Sequence, residues 1–272
     1  MVGFEISASA RQELEEAGFT VIPGPVPSED LARLSAAYDA AMTGAAPDDV
    51  KVGSSTTRVR DFVNRGPEFD GLYLSPPLLK ACCRIINAPF RLSTMHARTL
   101  RPELPAQNLH VDFERDSHGW PMVGFIFMVD EFRKDNGATR FVPGSHLWPA
   151  APRDLPGDLK ADCPGQVLAC GSAGSMIVFN GSVWHGHTVN RSGEARRSIQ
   201  GAYIRRDAES GEDLPARMLP ETLARISPLA RYLLAVQPLQ SSSGPNGSNG
   251  RTAQLDSLCP LPTCLNFGVH SS

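Results

Sequence analysis

The sequence predicts a mainly β (α+β) domain, an antiparallel sandwich or barrel with a helical N-terminal third packed outside it. From residue 91 onward, short runs rich in β-branched and aromatic residues recur: "RLSTMHARTLRP", "NLHVDFE", "MVGFIFMVDEF", "TRFVPGS", "SMIVFNGSVWHGHTV" and "ARRSIQGAYIRR". Gly, Pro, Asn and Asp separate them, as expected of many short strands joined by turns. Upstream, apolar residues fall at helical spacing instead, and no internal repeat points to a solenoid.

In order along the chain, "ARQELEEAGFTVIPGPVPSEDLARLSAAYDAAM" reads as helix, short strand, turn and helix. Ser28 is the expected N-cap, with Glu29 and Asp30 in the first turn and Leu31, Leu34, Ala37 and Tyr38 at helical spacing. Residues 44–70 are polar and broken by Gly and Pro, which predicts a long loop. "PPLLKACCRIINAPF" predicts a helix ending near Asn87. "SSSGPNGSNG" has linker composition, so residues 239–272 are expected to be a flexible tail after a single domain over 1–238.

Composition narrows the function. A net charge of -3 carries no basic excess for nucleic acid or an anionic membrane. No apolar run is long enough for a transmembrane helix, and the early acids do not suit a secretory signal. The six cysteines are therefore expected to be reduced thiols in a cytoplasm. Cys259 and Cys264 are too isolated to suggest zinc.

Two segments carry chemistry. In "NLHVDF", His110 and Asp112 stand two residues apart, so a strand would aim both at one spot. An ordinary His–Asp hydrogen bond would use the same spacing. In "WHGHTVNRSGEARRSIQGAYI", His185 and His187 repeat the i, i+2 spacing, "NRSGEA" is turn chemistry, and "RRSIQGAYI" is the expected returning arm of a hairpin. There Arg196, Ser198 and Gln200 share one face, and Arg197, Ile199 and Tyr203 the other. Arg196 and Ser198 thus form a candidate carboxylate clamp. His110, Asp112 and one distal histidine would make a two-histidine, one-carboxylate facial triad for Fe(II), with room for a bidentate 2-oxo acid and O2.

The motifs "QNLHVD", "DNGATRFVPGSH" and "WHGHTVNRSGEARRS" resemble the phytanoyl-CoA dioxygenase family of Fe(II)/2-oxoglutarate-dependent oxygenases. The similarity runs from "EEAGFTVIPGPVPSEDLARL" to about "AYIRR", roughly three quarters of the chain. It implies a double-stranded β-helix (jelly-roll) core over about 91–238, with the helical part over about 1–90. It also implies oxidation of a C–H bond of a small-molecule substrate, coupled to conversion of 2-oxoglutarate to succinate and CO2. The metal ligands it implies are His110, Asp112 and His185, the last because the family's distal ligand precedes Gly. Arg196 and Ser198 would hold 2-oxoglutarate, with Gln107 and Thr139 as further candidates. An aspartate at 112 matches the hydroxylating rather than the halogenating members.

Several residues compete for these roles. His187 shares the face of His185, and a strand bulge would exchange Arg196 and Arg197. His146, Trp120 and Trp184 are expected to be structural more often than functional; His118 and His96 are ambiguous, His96 either lining the barrel, because "STMHART" alternates, or, more commonly, sitting satisfied in the core. Arg58, Arg60 and Arg65 are candidates for meeting an anionic substrate, in a segment (51–66) that would serve as a lid. Two other classes fit part of the pattern. A cupin-type metal enzyme would have no use for Arg196, and a non-catalytic binding protein on this fold would lack part of the triad.

Overall fold

The computed structural model describes residues 6–154 and 156–236. The expected tail over 239–272, Cys259 and Cys264 lie outside them. Ten strands occur among the described residues: β1 (Phe19–Pro23), β2 (Val50–Val52), β3 (Thr56–Val59), β4 (Phe90–Leu100), β5 (Met122–Met128), β6 (Thr139–Phe141), β7 (Val167–Ala169), β8 (Ser175–Asn180), β9 (His185–His187) and β10 (Arg196–Arg205). Seven form one antiparallel sheet in the order β1-β8-β5-β10-β4-β3-β2, and three form a smaller one, β7-β6-β9. The two sheets are the layers of a double-stranded β-helix.

Strand alternation gives the large sheet two different faces. On β4, Met95 and Ala97 enter the main apolar core, while Thr94, His96 and Arg98 line a pocket between the sheets. On β10, Ile199 and Tyr203 join that core, and Arg196, Gln200 and Ala202 face the pocket. The core side is covered by helices α1 (Ala8–Glu16), α2 (Leu31–Thr43), α3 (Asp70–Tyr73) and α4 (Pro76–Ile86), which contribute Leu14, Leu34, Tyr73 and Leu79. Three short helices, α5 (Leu214–Arg217), α6 (Pro220–Arg225) and α7 (Pro228–Leu233), close the same side through Leu214 and Leu233. α4 ends as expected at Asn87, which takes the left-handed conformation an asparagine tolerates. No helix among the described residues is long and apolar enough to cross a membrane.

Four local expectations are corrected. Ser28 does not cap α2: it opens a short 3-10 turn, its hydroxyl donates to Glu29, and α2 begins at Leu31. Residues 44–70 are not one long loop. They hold the β2–β3 hairpin, whose second arm pairs with β4 from Thr56–Leu100 to Val59–Ala97. The segment around His110 is not a regular strand; it makes one isolated bridge, His110 to His185. The arms flanking "NRSGEA" are not a hairpin either. β9 pairs with β6, and β10 pairs with β4 and β5, so the turn carries the chain from one sheet to the other. Turn chemistry was legible there; the sheet each arm joins depends on partners far away in sequence.

Gly201 shows how tightly β10 is seated. A Cβ there would lie 2.5 Å from the Phe125 ring and 2.8 Å from the Thr94 carbonyl oxygen. Gly201→Ala is therefore expected to destabilise the fold by about 1–3 kcal/mol through overpacking, measured as a lower denaturation midpoint at unchanged m-value.

Candidate metal centre and co-substrate pocket

The His110–His185 bridge is the frame of the site. Each residue's backbone N–H donates to the other's carbonyl at 3.0 Å. Gly186 permits the approach, since a Cβ there would stand 3.0 Å from the Asn108 carbonyl oxygen. Beyond the bridge, the Asp112 N–H donates to Gly181, turning the carboxylate toward both imidazoles. Ligand atoms of His110, Asp112 and His185 lie within 4.8 Å of one another, the one such cluster of three or more among the described residues.

Hydrogen bonds fix the tautomers. His110 Nδ1–H donates to the Asn108 carbonyl and His185 Nδ1–H to the Val183 carbonyl, both at 3.0 Å. Each ring therefore turns an unprotonated Nε2 toward Asp112, at 3.4 Å from His110 and 3.5 Å from His185. Metal-binding histidines are commonly oriented by such an outer bond. Burial pushes the His185 imidazole down to about 4, against the opposing pull of Asp112. Burial would raise the Asp112 carboxyl, but the electrostatic pull of His185, His110 and Arg98 outweighs it and holds it at about 2. A neutral His185 imidazole beside an ionised Asp112 is the protonation state a divalent cation requires.

His187 is differently engaged. Its Nδ1–H donates to the Thr188 carbonyl at 2.9 Å, so Nε2 accepts from the Ser55 hydroxyl at 3.0 Å. Its one accepting lone pair is thereby used, and it stands as a wall of the pocket.

The pocket has a volume of about 630 Å³. Arg196 and Thr139 line it, as does Gln107, whose amide nitrogen lies 3.3 Å from His110 Nε2. The buried Arg196 guanidinium lies over the Phe132 ring and donates to the Asn136 and Gly137 carbonyls, while its Nη1 is buried without a partner. Burial lowers it to about 9, so it remains a cation at neutral pH. Ser198 is buried beside it, its hydroxyl donating to the Arg98 carbonyl rather than lining the pocket. Arg197 points the other way and clamps Asp130 and, on α2, Asp39.

Of the loop arginines, Arg60 and Arg65 are held by Asp49, whereas Arg58 lines the pocket with Asp112 as its electrostatic partner. His96 also lines the pocket, kept neutral by burial and by Arg58 and Arg98, which push it down to about 3. His146 and Trp184 are buried away from the pocket, and neither His118 nor Trp120 reaches it.

Two residues escaped sequence reasoning. Arg98 lies deep in the pocket and donates to Gln107 and Gln200. Its signal was the i, i+2 step from His96. Arg140 is fully buried and donates to the carbonyls of Gln107, Leu159 and Ala161, tying the loop before β7 to the segment that carries His110. Nothing local in "ATRF" marks such a clamp.

A double-stranded β-helix whose histidines and aspartate converge between its sheets, with a buried arginine deeper in the same cavity, is the arrangement of a metal-dependent oxygenase. Comparison with known proteins makes that specific. The sequence model of the family described as "Phytanoyl-CoA dioxygenase (PhyH)" matches residues 14–198. The multifunctional dioxygenase prhA of Penicillium brasilianum is 30% identical over 234 residues, covering 75% of each chain. The multifunctional dioxygenase ausE of the same organism is 28% identical over 264 residues, covering 86% of each. Among solved structures, HygX of Streptomyces hygroscopicus, with nickel and 2-oxoglutarate bound, superposes with a TM-score of 0.62 at 18% identity. That match covers 76% of this chain and 90% of HygX, and at this identity it speaks for the fold. The chain belongs to the phytanoyl-CoA dioxygenase family and is a dioxygenase.

Replacing Arg140 by Met removes the buried guanidinium that donates to the Gln107, Leu159 and Ala161 carbonyls. A loss of about 2–4 kcal/mol in unfolding free energy is expected. Faster amide hydrogen exchange around residues 157–166 would identify the loop it releases, and unchanged exchange there would show that something else holds the loop.

Proposed function

We propose that this dioxygenase uses Fe(II), held by His110, Asp112 and His185, and 2-oxoglutarate, held by Arg196, to oxidise an unactivated C–H bond of a small molecule. The observation that carries this is the pairing of one oriented His-Asp-His cluster with a buried guanidinium in the same cavity. A buried cation without a counter-ion is costly, and a carboxylate would complete it. A metal enzyme with no use for a 2-oxo acid would gain only the Asn136 and Gly137 hydrogen bonds from Arg196 and would leave its Nη1 unpartnered.

Bound there, the metal and co-substrate would supply O2 activation, yielding succinate, CO2 and, in the hydroxylating outcome, an alcohol from R–H. The protein's own part is positioning. Arg196 would meet the distal carboxylate, with Thr139 across the cavity; Ser198, next on the same face of β10, would have to turn its hydroxyl away from the Arg98 carbonyl to join them. Gln107, held by Arg98, would stand beside the His110 ligand. The outer pocket would take the substrate. Its walls are hydroxyls of Ser93, Thr94 and Ser210 and apolar groups of Met122 and Ile204, which fit a largely apolar molecule bearing some polar groups. The cytoplasmic setting, with reduced thiols, belongs to the same proposal.

Metal retention after anaerobic dialysis tests the ligand set. His110→Ala and His185→Ala should lose iron, whereas His187→Ala should keep it. Iron lost from His187→Ala and kept by His185→Ala would exchange the two roles. Arg196→Ala should retain iron but require at least ~100-fold more 2-oxoglutarate, the cost of a charge-assisted clamp.

A further inference from the structure

Beside the main pocket lies a second cavity of about 410 Å³, sharing Arg58, Arg98, Gln107 and His187 with it. The β2–β3 turn forms one side, and residues 106–108 with Lys160 form the other. Lys51, Arg58, Arg98 and Lys160 line it, and among the described residues no carboxylate does. Arg140 fixes Lys160 from behind by holding the carbonyls of its two neighbours.

The sheet register makes this more than a basic patch. Lys51 stands directly opposite Arg58 across β2 and β3, and Arg58 directly opposite Arg98 across β3 and β4. Directly opposite residues share a face, and like charges so placed destabilise a sheet. The row runs inward from exposed Lys51 through half-buried Arg58 to Arg98. Neither Arg58 nor Arg98 has an ion-pair contact with a carboxylate among the described residues, so the row is cationic along its whole length. The outer part of the main pocket is different. Ser93, Thr94 and Ser210 line it together with Glu209, whose charge repels an anion.

We propose that the second cavity is a separate port for dicarboxylates, through which 2-oxoglutarate enters and succinate leaves while the primary substrate occupies the other mouth. This rests on the functional reading above. A concave, single-sign wall raises the local concentration of a dianion and speeds its capture. Each cation in the row is relieved in turn as the dianion passes inward toward Arg196.

The test is anaerobic stopped-flow mixing of the Fe(II)-loaded full chain with 2-oxoglutarate, following the visible charge-transfer band of keto-acid chelation. Lys51→Glu/Lys160→Glu reverses two exposed charges at the port. Arg33→Glu/Arg133→Glu makes the same change in net charge at exposed sites elsewhere. At low salt the port variant should associate about tenfold more slowly than its charge-matched control, and the difference should shrink as salt screens it. Equal rates for the two variants would overturn the port while leaving the iron site intact. A wild-type chain that binds iron but forms no band would overturn the co-substrate reading, and the port with it.

Discussion

The reciprocal pair of backbone hydrogen bonds between His110 and His185 is the constraint on which the rest of the site depends. It joins an irregular segment to the edge of the smaller sheet, bringing together residues far apart in sequence. The side chains inherit their direction from it. Two imidazoles then face one carboxylate, each held by a carbonyl of its own segment. Gly186 and Arg140 serve this joint, the glycine by leaving space and the arginine by holding the Gln107 carbonyl. Packing supports it from behind, where Phe141 and Phe179 lie against the His185 ring.

The second theme is unbalanced charge. Arg58, Arg98 and Arg196 all reach the main pocket, where the carboxylates are Asp112 and the more distant Glu209. Burying guanidiniums without counter-ions works against stability, and the apolar core on the opposite face of the same sheet offsets that cost. The excess suits a cavity that takes up an anionic co-substrate. Arg197, one residue from Arg196, shows the alternative. On the other face of β10 it is fully paired with Asp130 and Asp39 and serves to dock α2.

Much of this was legible in the sequence. The shift from helical spacing to short β-rich runs marked the two-part fold, and the two i, i+2 pairs marked the cluster. Strand alternation alone could not choose between His185 and His187, since it puts both on one face; the His-Gly resemblance pointed to His185. The Ser55 hydroxyl separates them, and it arrives on a hairpin within a segment that reads as a loop. That hairpin is too short and polar for a local strand signal; pairing with β4 creates it. Arg98 and Arg140 stayed hidden for a related reason, since their partners are set by register and by loop carbonyls rather than by neighbours in sequence.

The most direct test of the central claim is an anaerobic titration of the chain with Fe(II), with and without 2-oxoglutarate, read by visible absorption. The account predicts a charge-transfer band that needs both ligands, saturates at one iron per chain and vanishes in His110→Ala. Iron binding that survives this substitution, or that produces no band with 2-oxoglutarate, would contradict it.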